Sequence, residues 1–418
     1  MTFRKFLFWT HLTVGSIAGV VIFTMCVTGV LLAYQRQILH FAERSYRAAP
    51  ASGAQPLPLE TLLDKAHATQ PSAPASVIWR SSPDEPVEIS FGRDQSLLLN
   101  PYTGAILGVG ATHTRAFFHS AEEVHRWLAF GPEKRSTGRA ITAACNLGFL
   151  FLVCSGPFLW LPRRWSSTSF KAGTRFNGRL KGRARDFNWH NVIGFWCCIP
   201  LGAIVLCAVV MSYPWANNLV YRLTNSPIPA PNGQVQVAVA GSPPRGQYNR
   251  GNDSSAAVSA ASPWDGLDIL RHRAEQRVPG WRTITLRLTP SDLNLTFAID
   301  TGNGGRPDKR SQLTMNRKTA AEVRYEPFSS FNSGRQLRTW IRFTHTGEAG
   351  GVLGETIAVI AATGGAFLVW TGLGLAIRRL RTPRTRRPPS VSEVGVSVSA
   401  IPPQPHHSEA HGSENATT

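Results

Sequence analysis

The sequence predicts a membrane protein, a four-transmembrane-helix bundle with two small extracytoplasmic α+β domains, and three observations predict it. Four apolar runs, 12–34, 140–161, 191–213 and 352–377, carry at most one charge each. Each meets the roughly 20 residues needed to cross a ~30 Å hydrocarbon core. Lysine and arginine crowd one side of all four: Arg4 and Lys5 before the first run, eight cations from Arg163 to Arg185 between the second and third, and Arg378 to Arg387 after the fourth. The positive-inside rule then puts both termini in the cytoplasm. Two long segments face the other side, and both read as a helix followed by alternating strands.

Span 1 covers 6–34. Its basic start and apolar middle are signal-like, but the apolar stretch outruns a signal core, so an uncleaved anchor is expected. The first outer domain, 35–118, reads as a helix (LPLETLLDKAHATQ), strands (SVIWR, VEISFG, SLLLNP) and a turn at Pro101-Tyr102-Thr103-Gly104. In 119–161 a short interfacial helix, EEVHRWL, is broken from span 2 by Gly131-Pro132. A basic loop, 162–188, leads to span 3, 189–213. A Pro/Gly/Ser/Asn-rich linker, 214–263, follows. The second outer domain, 264–344, repeats a helix (WDGLDILRHRAEQ) and strands (RTITLRL, LNLTFAID, QLTMNR, EVRYEP). Span 4, 345–379, precedes a Pro/Ser/His-rich tail, 380–418, expected to be disordered, whose His406, His407 and His411 reflect composition rather than a metal site. The order of membrane helix, outer domain, histidine and membrane helix thus occurs twice.

Composition narrows the function. The formal net charge of +19 over 418 residues sits mainly in the loops flanking the spans, so it reports topology and predicts no nucleic-acid partner. All six cysteines fall in predicted spans, and no disulfide is expected. Neither a Gly-rich dinucleotide fingerprint nor a phosphate-binding loop is present, nor an HExxH motif.

One histidine accompanies each span: His11, His125, His190 and His345. A single interfacial histidine is ordinarily a polar group reaching for water. Four of them, two at each depth, suit bis-imidazole ligation of two stacked b-type haems, because neutral imidazole is a strong iron ligand. His11 and His190 would pair at the cytoplasmic level, His125 and His345 at the outer level, with the macrocycles about half of a ~30 Å core apart. Gly15 and Gly194 stand four residues after their histidines, one turn deeper on the same face, and Gly19 extends that face on span 1, leaving room for a porphyrin. Arg126, Arg342 and Arg139 outside, with Arg4, Lys5 and Arg164 inside, are candidate propionate contacts. His119 and His113 compete with His125 for the outer position, whereas His40, His67 and His272 read as surface residues. Thr28-Gly29, Ser155-Gly156 and Thr371-Gly372 read as small-residue helix packing, with the hydroxyls bonding back to their own helices. Glu355 is an acidic residue inside a span, a haem-contact or proton group on one reading and a packed helix-start residue on the other.

SLLLNPYTGAILG resembles the strand-turn-strand close of a PepSY domain. QLTMNRKTAAEVRYEPF with RQLRTWIRFTHTGEAGG resembles the PepSY-associated transmembrane family, also called iron-regulated membrane proteins. The resemblance runs from Phe6 to about Arg379, and its most specific pieces are the histidine segments TFRKFLFWTHLTVGSIAG, EEVHRWLAFG, DFNWHNVIGFW and WIRFTHTGEAGG. Better-understood members are similar to bacterial inner-membrane reductases that carry b haems. The resemblance implies reduction of a periplasmic ferric siderophore, releasing Fe(II), which hard-oxygen chelators hold weakly. The implied partners are the ferric siderophore, membrane lipid and an electron donor, either a quinol or a cytoplasmic reductase. A different class is also implied: PepSY domains accompany proteases, so a non-enzymatic sensor, peptidase modulator or siderophore-transport accessory is the alternative.

Overall fold

The computed structural model describes residues 2–92, 95–162, 166–229, 263–288 and 293–381. Arg163, Arg164, most of the predicted linker and the tail from residue 382 lie outside the described residues.

The first half begins with α1 (Phe3–Ala33) and α2 (Gln35–Ala42). Then come α3 (Leu59–Thr69), β1 (Ser76–Arg80), β2 (Val87–Ser90), β3 (Ser96–Leu99) and β4 (Ile106–Gly108). Next are α4 (Thr112–Trp127), α5 (Arg135–Trp160) and α6 (Ser167–Thr174). The second half has α7 (Gly182–Ser212), α8 (Pro214–Leu223) and α9 (Leu267–Arg277). It continues through β5 (Thr283–Arg287), β6 (Asn294–Asp300), β7 (Arg310–Asn316) and β8 (Glu322–Pro327) to α10 (Ser333–His345) and α11 (Gly351–Arg381).

Four stretches, centred on α1, α5, α7 and α11, are long and apolar enough to cross a membrane. Their outer faces leave Ile17, Ile199, Ile360 and Trp370 largely exposed, an apolar surface that water would penalise and lipid would not. Their inner faces interlock. Ala18, Ile22 and Cys26 of α1 meet Phe149 and Leu152 of α5 and Val369 of α11, while Cys197 and Leu201 of α7 meet Ala361 of α11. Gly364 and Gly365 lie against the Cys197 and Cys26 thiols, the close approach that small residues permit between helices in lipid. All six cysteines are free.

Where the sequence predicts two separate outer domains, the strands form one eight-stranded antiparallel sheet in the order β4-β3-β2-β1-β5-β6-β7-β8. The two repeats join through their first strands, with Val77 opposite Leu286 and Trp79 opposite Ile284. Alternation in β1, β5 and β6 turns one face inward, and α3 and α9 cover it with Leu62, Leu63, Leu267 and Leu270 in one core around Phe297. Each such side chain, fully buried, contributes roughly 1.5–3 kcal/mol, and sharing one sheet lets both halves use the same core.

Three predicted boundaries move. The interfacial helix starts at Thr112 rather than at residue 119, which takes 112–118 out of the first outer domain. Residues 214–223, predicted as linker, are the helix α8, which buries Ala216, Val220 and Tyr221 and hydrogen-bonds α10 through Asn217 Oδ1, accepting from Arg338 at 2.8 Å. A start of Pro214 at the first helical turn explains the helix, since proline's fixed φ favours that position. Span 4 begins at Gly351, not at His345, which is the last residue of α10. The intervening Gly347 and Gly351 have positive φ, and a side chain on Gly347 would collide with the backbone of Gly354 and Glu355. The glycines therefore make a tight turn that folds α10 back on α11.

Candidate functional site

Each predicted histidine is held by a helix other than its own. His11 Nδ1 of α1 lies 2.7 Å from Ser155 Oγ of α5, and His190 Nδ1 of α7 lies 3.0 Å from Thr371 Oγ1 of α11. His125 Nδ1, in the last turn of α4, lies 2.9 Å from Thr28 Oγ1 of α1. His345 Nδ1 of α10 lies 2.9 Å from the Ile204 carbonyl of α7.

These partners decide the tautomer. The Thr28 hydroxyl donates to the Thr24 carbonyl at 2.7 Å, Thr371 to Phe367 at 2.7 Å and Ser155 to Leu152 at 3.3 Å. A hydroxyl has one proton, so once that proton is given to the main chain the oxygen accepts from Nδ1–H. A carbonyl can only accept, so His345 also carries its proton on Nδ1. An imidazole with its proton on Nδ1, as on His345, presents an Nε2 lone pair, the form in which histidine binds metals while its other nitrogen donates to a fixed acceptor.

The outer pair is brought together. The His125 and His345 rings stand 6.3 Å apart between centroids, with planes at 53°. Two imidazoles with Nε2 about 2 Å from one ion on opposite sides would be separated by roughly 6 Å. His11 and His190 lie at the other level, held by Ser155 and Thr371. Measured along the helices, His190 to Ile204 spans about 21 Å and His11 to Thr28 about 25 Å at 1.5 Å per residue. His125 and His345 are carried on α4 and α10 and reach α1 and α7 at Thr28 and Ile204, before the ends of those helices.

His119 Nε2 lies 3.6 Å from Glu123 and has no hydrogen-bond partner among the described residues, and His113 stands in the first turn of α4, at the opposite end from His125. The turn after α4 fixes His125. Leu128 and Ala129 both have positive φ, a strained pair costing roughly 1–3 kcal/mol each. It is held by Leu128 N–H donating to Val124 and Ala129 N–H to Glu123. Thr142 of α5 donates to the Arg126 carbonyl at 3.1 Å. A side chain on Gly138 would run into the Trp127 carbonyl. Gly138→Val is therefore expected to cost about 1–3 kcal/mol through overpacking, read as a lower unfolding temperature in detergent; an unchanged temperature would mean that the α4–α5 corner does not depend on this contact.

The arginines divide. Arg342, one turn before His345, has a buried Nη1 with no hydrogen-bond partner among the described residues, and burial lowers its pKa from the ordinary arginine value, opposed by Glu348. An unpaired buried guanidinium nitrogen is costly and is well placed for a carboxylate. Arg126 already pairs with Glu122 at 2.6 Å and lies over Trp127. Arg4 donates to the Leu159 and Leu161 carbonyls at 2.6 and 2.9 Å, capping α5. Lys5 and Arg139 are exposed. Among the predicted glycines, Gly15 faces Leu152, Gly194 faces Leu368, and Gly19 is buried against Leu373 and Val369, which makes Gly19 a point of close approach between α1 and α11. Glu355 is completely buried and accepts from Arg36 Nη2 at 2.9 Å and from Gln37 Nε2, the packed helix-start role.

Thr28, Ser155 and Thr371 bond back to their own helices as the sequence reading has it, and each also meets a histidine of another helix, which that reading did not foresee. Their signal was the recurrence of a hydroxyl residue followed by glycine near three span ends. Gly372 and Gly29 follow two of them, and a Cβ added at either would come within 3.2 and 3.6 Å of the His190 and His125 Cε1 atoms, so glycine leaves space for each ring.

Among the described residues no three His, Cys, Asp or Glu side chains gather to hold a bare ion. Four helices long and apolar enough to cross a membrane define a multi-pass membrane protein. The chain belongs to the family described as the PepSY-associated TM region, whose model matches residues 8–379. No curated protein matches it.

Proposed function

We propose that this protein is an inner-membrane di-haem b electron-transfer protein that reduces a periplasmic ferric siderophore and releases Fe(II). The observation carrying this reading is that each of four imidazoles, at two levels, has its Nδ1 within hydrogen-bond distance of an oxygen on another helix, which points Nε2 the other way. His11 and His190 would hold one haem, His125 and His345 the other. Bound there, the haems supply one-electron carriers at two depths. The chain's own contribution is orientation and charge. The hydroxyl and carbonyl acceptors fix the rings, and Arg342 offers its unpartnered nitrogen to a propionate.

The basic loop and both termini lie on the cytoplasmic side under this reading, and the sheet faces the periplasm. A hollow of about 520 Å³ at the sheet's foot is lined by Arg282, Asn303, Arg306, Lys309 and Gly350–Gly351. Its cations suit an anionic ferric chelate, although Arg306 is partly neutralised by Asp308 at 2.8 Å.

The test is to purify the chain in detergent from haem-replete cells and record oxidised and dithionite-reduced spectra with a haemochrome count. About two b haems per chain are expected. A colourless protein would overturn the reading and favour the sensor, modulator or transport-accessory role.

A further inference from the structure

The hydroxyls that hold the histidines are arranged unequally between the two levels. Ser155 and Thr371 are the acceptors for the His11–His190 pair. At the other level, His125 meets the Thr28 hydroxyl and His345 meets a bare main-chain carbonyl. The chain's internal repeat explains the difference. Met25 and Ile204 stand at equal distances along the chain after His11 and His190, as do Thr28 and Cys207. On α1 the Thr28 hydroxyl lies 3.2 Å from the Met25 carbonyl and 2.9 Å from His125 Nδ1, so a side-chain oxygen joins the backbone at this ring. On α7 the equivalent position is Cys207, a poor donor, and the Ile204 carbonyl takes the Nδ1–H directly.

We infer that Thr28, Ser155 and Thr371 are positioning residues, each fixing the tautomer and plane of one axial histidine and lowering the reduction potential of the haem at its own level. This rests on the di-haem reading above. A ring whose Nδ1–H donates to a held acceptor is a more basic ligand at Nε2, and a more basic ligand favours the ferric state. Each hydroxyl is itself polarised by its bond to the main chain, which strengthens its acceptance. The assignment is level-specific because each hydroxyl touches only one of the four rings.

The experiment is a redox titration of the purified holoprotein, with a haem count, for Thr28→Val, Ser155→Ala and Thr371→Val. Valine keeps the shape of threonine, so the bundle is retained while the acceptor is lost. Ser155→Ala and Thr371→Val are expected to move the same one of the two midpoint potentials to more positive values, and Thr28→Val to move the other. Haem affinity at the altered level should fall roughly 10- to 100-fold. Thr28→Ser and Thr371→Ser, which keep the hydroxyl, should restore both potentials. Wild-type potentials in the valine and alanine variants, with full haem content, would reduce these residues to helix packing and leave the di-haem reading standing. A single variant moving both potentials would overturn the level assignment. A wild-type chain without haem would overturn both proposals together.

Discussion

His345→Ala and His11→Ala are each expected to leave about one b haem per chain and to bring ferric reduction down to background, provided the di-haem reading holds. The reason is geometric. Each pair contains two donors from different helices, and removing either leaves one imidazole that is still braced but has no partner across the iron. The remaining pair is untouched, because the two levels are separated by about 21–25 Å of helix and share no acceptor. The two losses should therefore be spectrally distinct, and their sum should resemble the wild-type reduced spectrum. Activity should vanish in both, since the levels act in series rather than in parallel. His119→Ala is the control: the His119 Nε2 lies 3.6 Å from Glu123, and the variant should keep both haems. Loss of haem in His119→Ala with retention in His125→Ala would move the outer ligand to residue 119.

The spans were legible in the sequence because length and uninterrupted apolarity are local properties, and Ile17 or Trp370 exposed to lipid follows from them. The four histidines were legible for a related reason: a polar ring beside each span is conspicuous where most side chains are apolar. The single sheet was not legible. Its central pairing sets Val77 against Leu286, two residues separated by two spans, and period-two alternation says which face of a strand is buried but not which strand lies beside it. Residues 214–223 were hidden inside a segment whose Pro, Gly and Ser content is loop-like, although Pro214 itself opens a helix. The histidine contacts of the hydroxyl residues were not legible, for a physical reason. A helical Ser or Thr bonding back to its own carbonyl is the usual case, and Thr28, Ser155 and Thr371 do so. Only the facing helix shows that the same oxygen has a second lone pair in use. Arg126 and Arg342 looked equivalent beside their histidines, and they differ because Glu122 stands one turn before Arg126 while no described hydrogen-bond partner reaches Arg342 Nη1.

Arg36→Ala is expected to destabilise the protein far more than Glu355→Gln, although the two residues form one ion pair. Glu355 is fully buried, while about a third of the Arg36 side chain is exposed. Removing the arginine leaves a carboxylate with only Gln37 beside it in a dry site, a loss of about 3–5 kcal/mol for breaking a buried pair from that side. Removing the carboxylate's charge leaves an arginine that still donates to the Asn303 carbonyl at 2.8 Å, reaches Glu348 at 3.6 Å and touches water. That loss should be nearer 1 kcal/mol, the scale of one hydrogen bond. The asymmetry has a consequence for the histidines. Arg36 joins the α1–α2 junction to the loop before β7 and to the start of α11, so its removal loosens the sheet from the bundle beside His345. In detergent, Arg36→Ala should show a markedly lower unfolding temperature and Glu355→Gln a small change. Substituting both residues by apolar ones of similar size should recover most of the difference, because the cost comes from an unpaired buried charge and not from the absence of a bridge. Equal losses in the two single variants, with no recovery in the double, would mean that the pair stabilises by attraction alone.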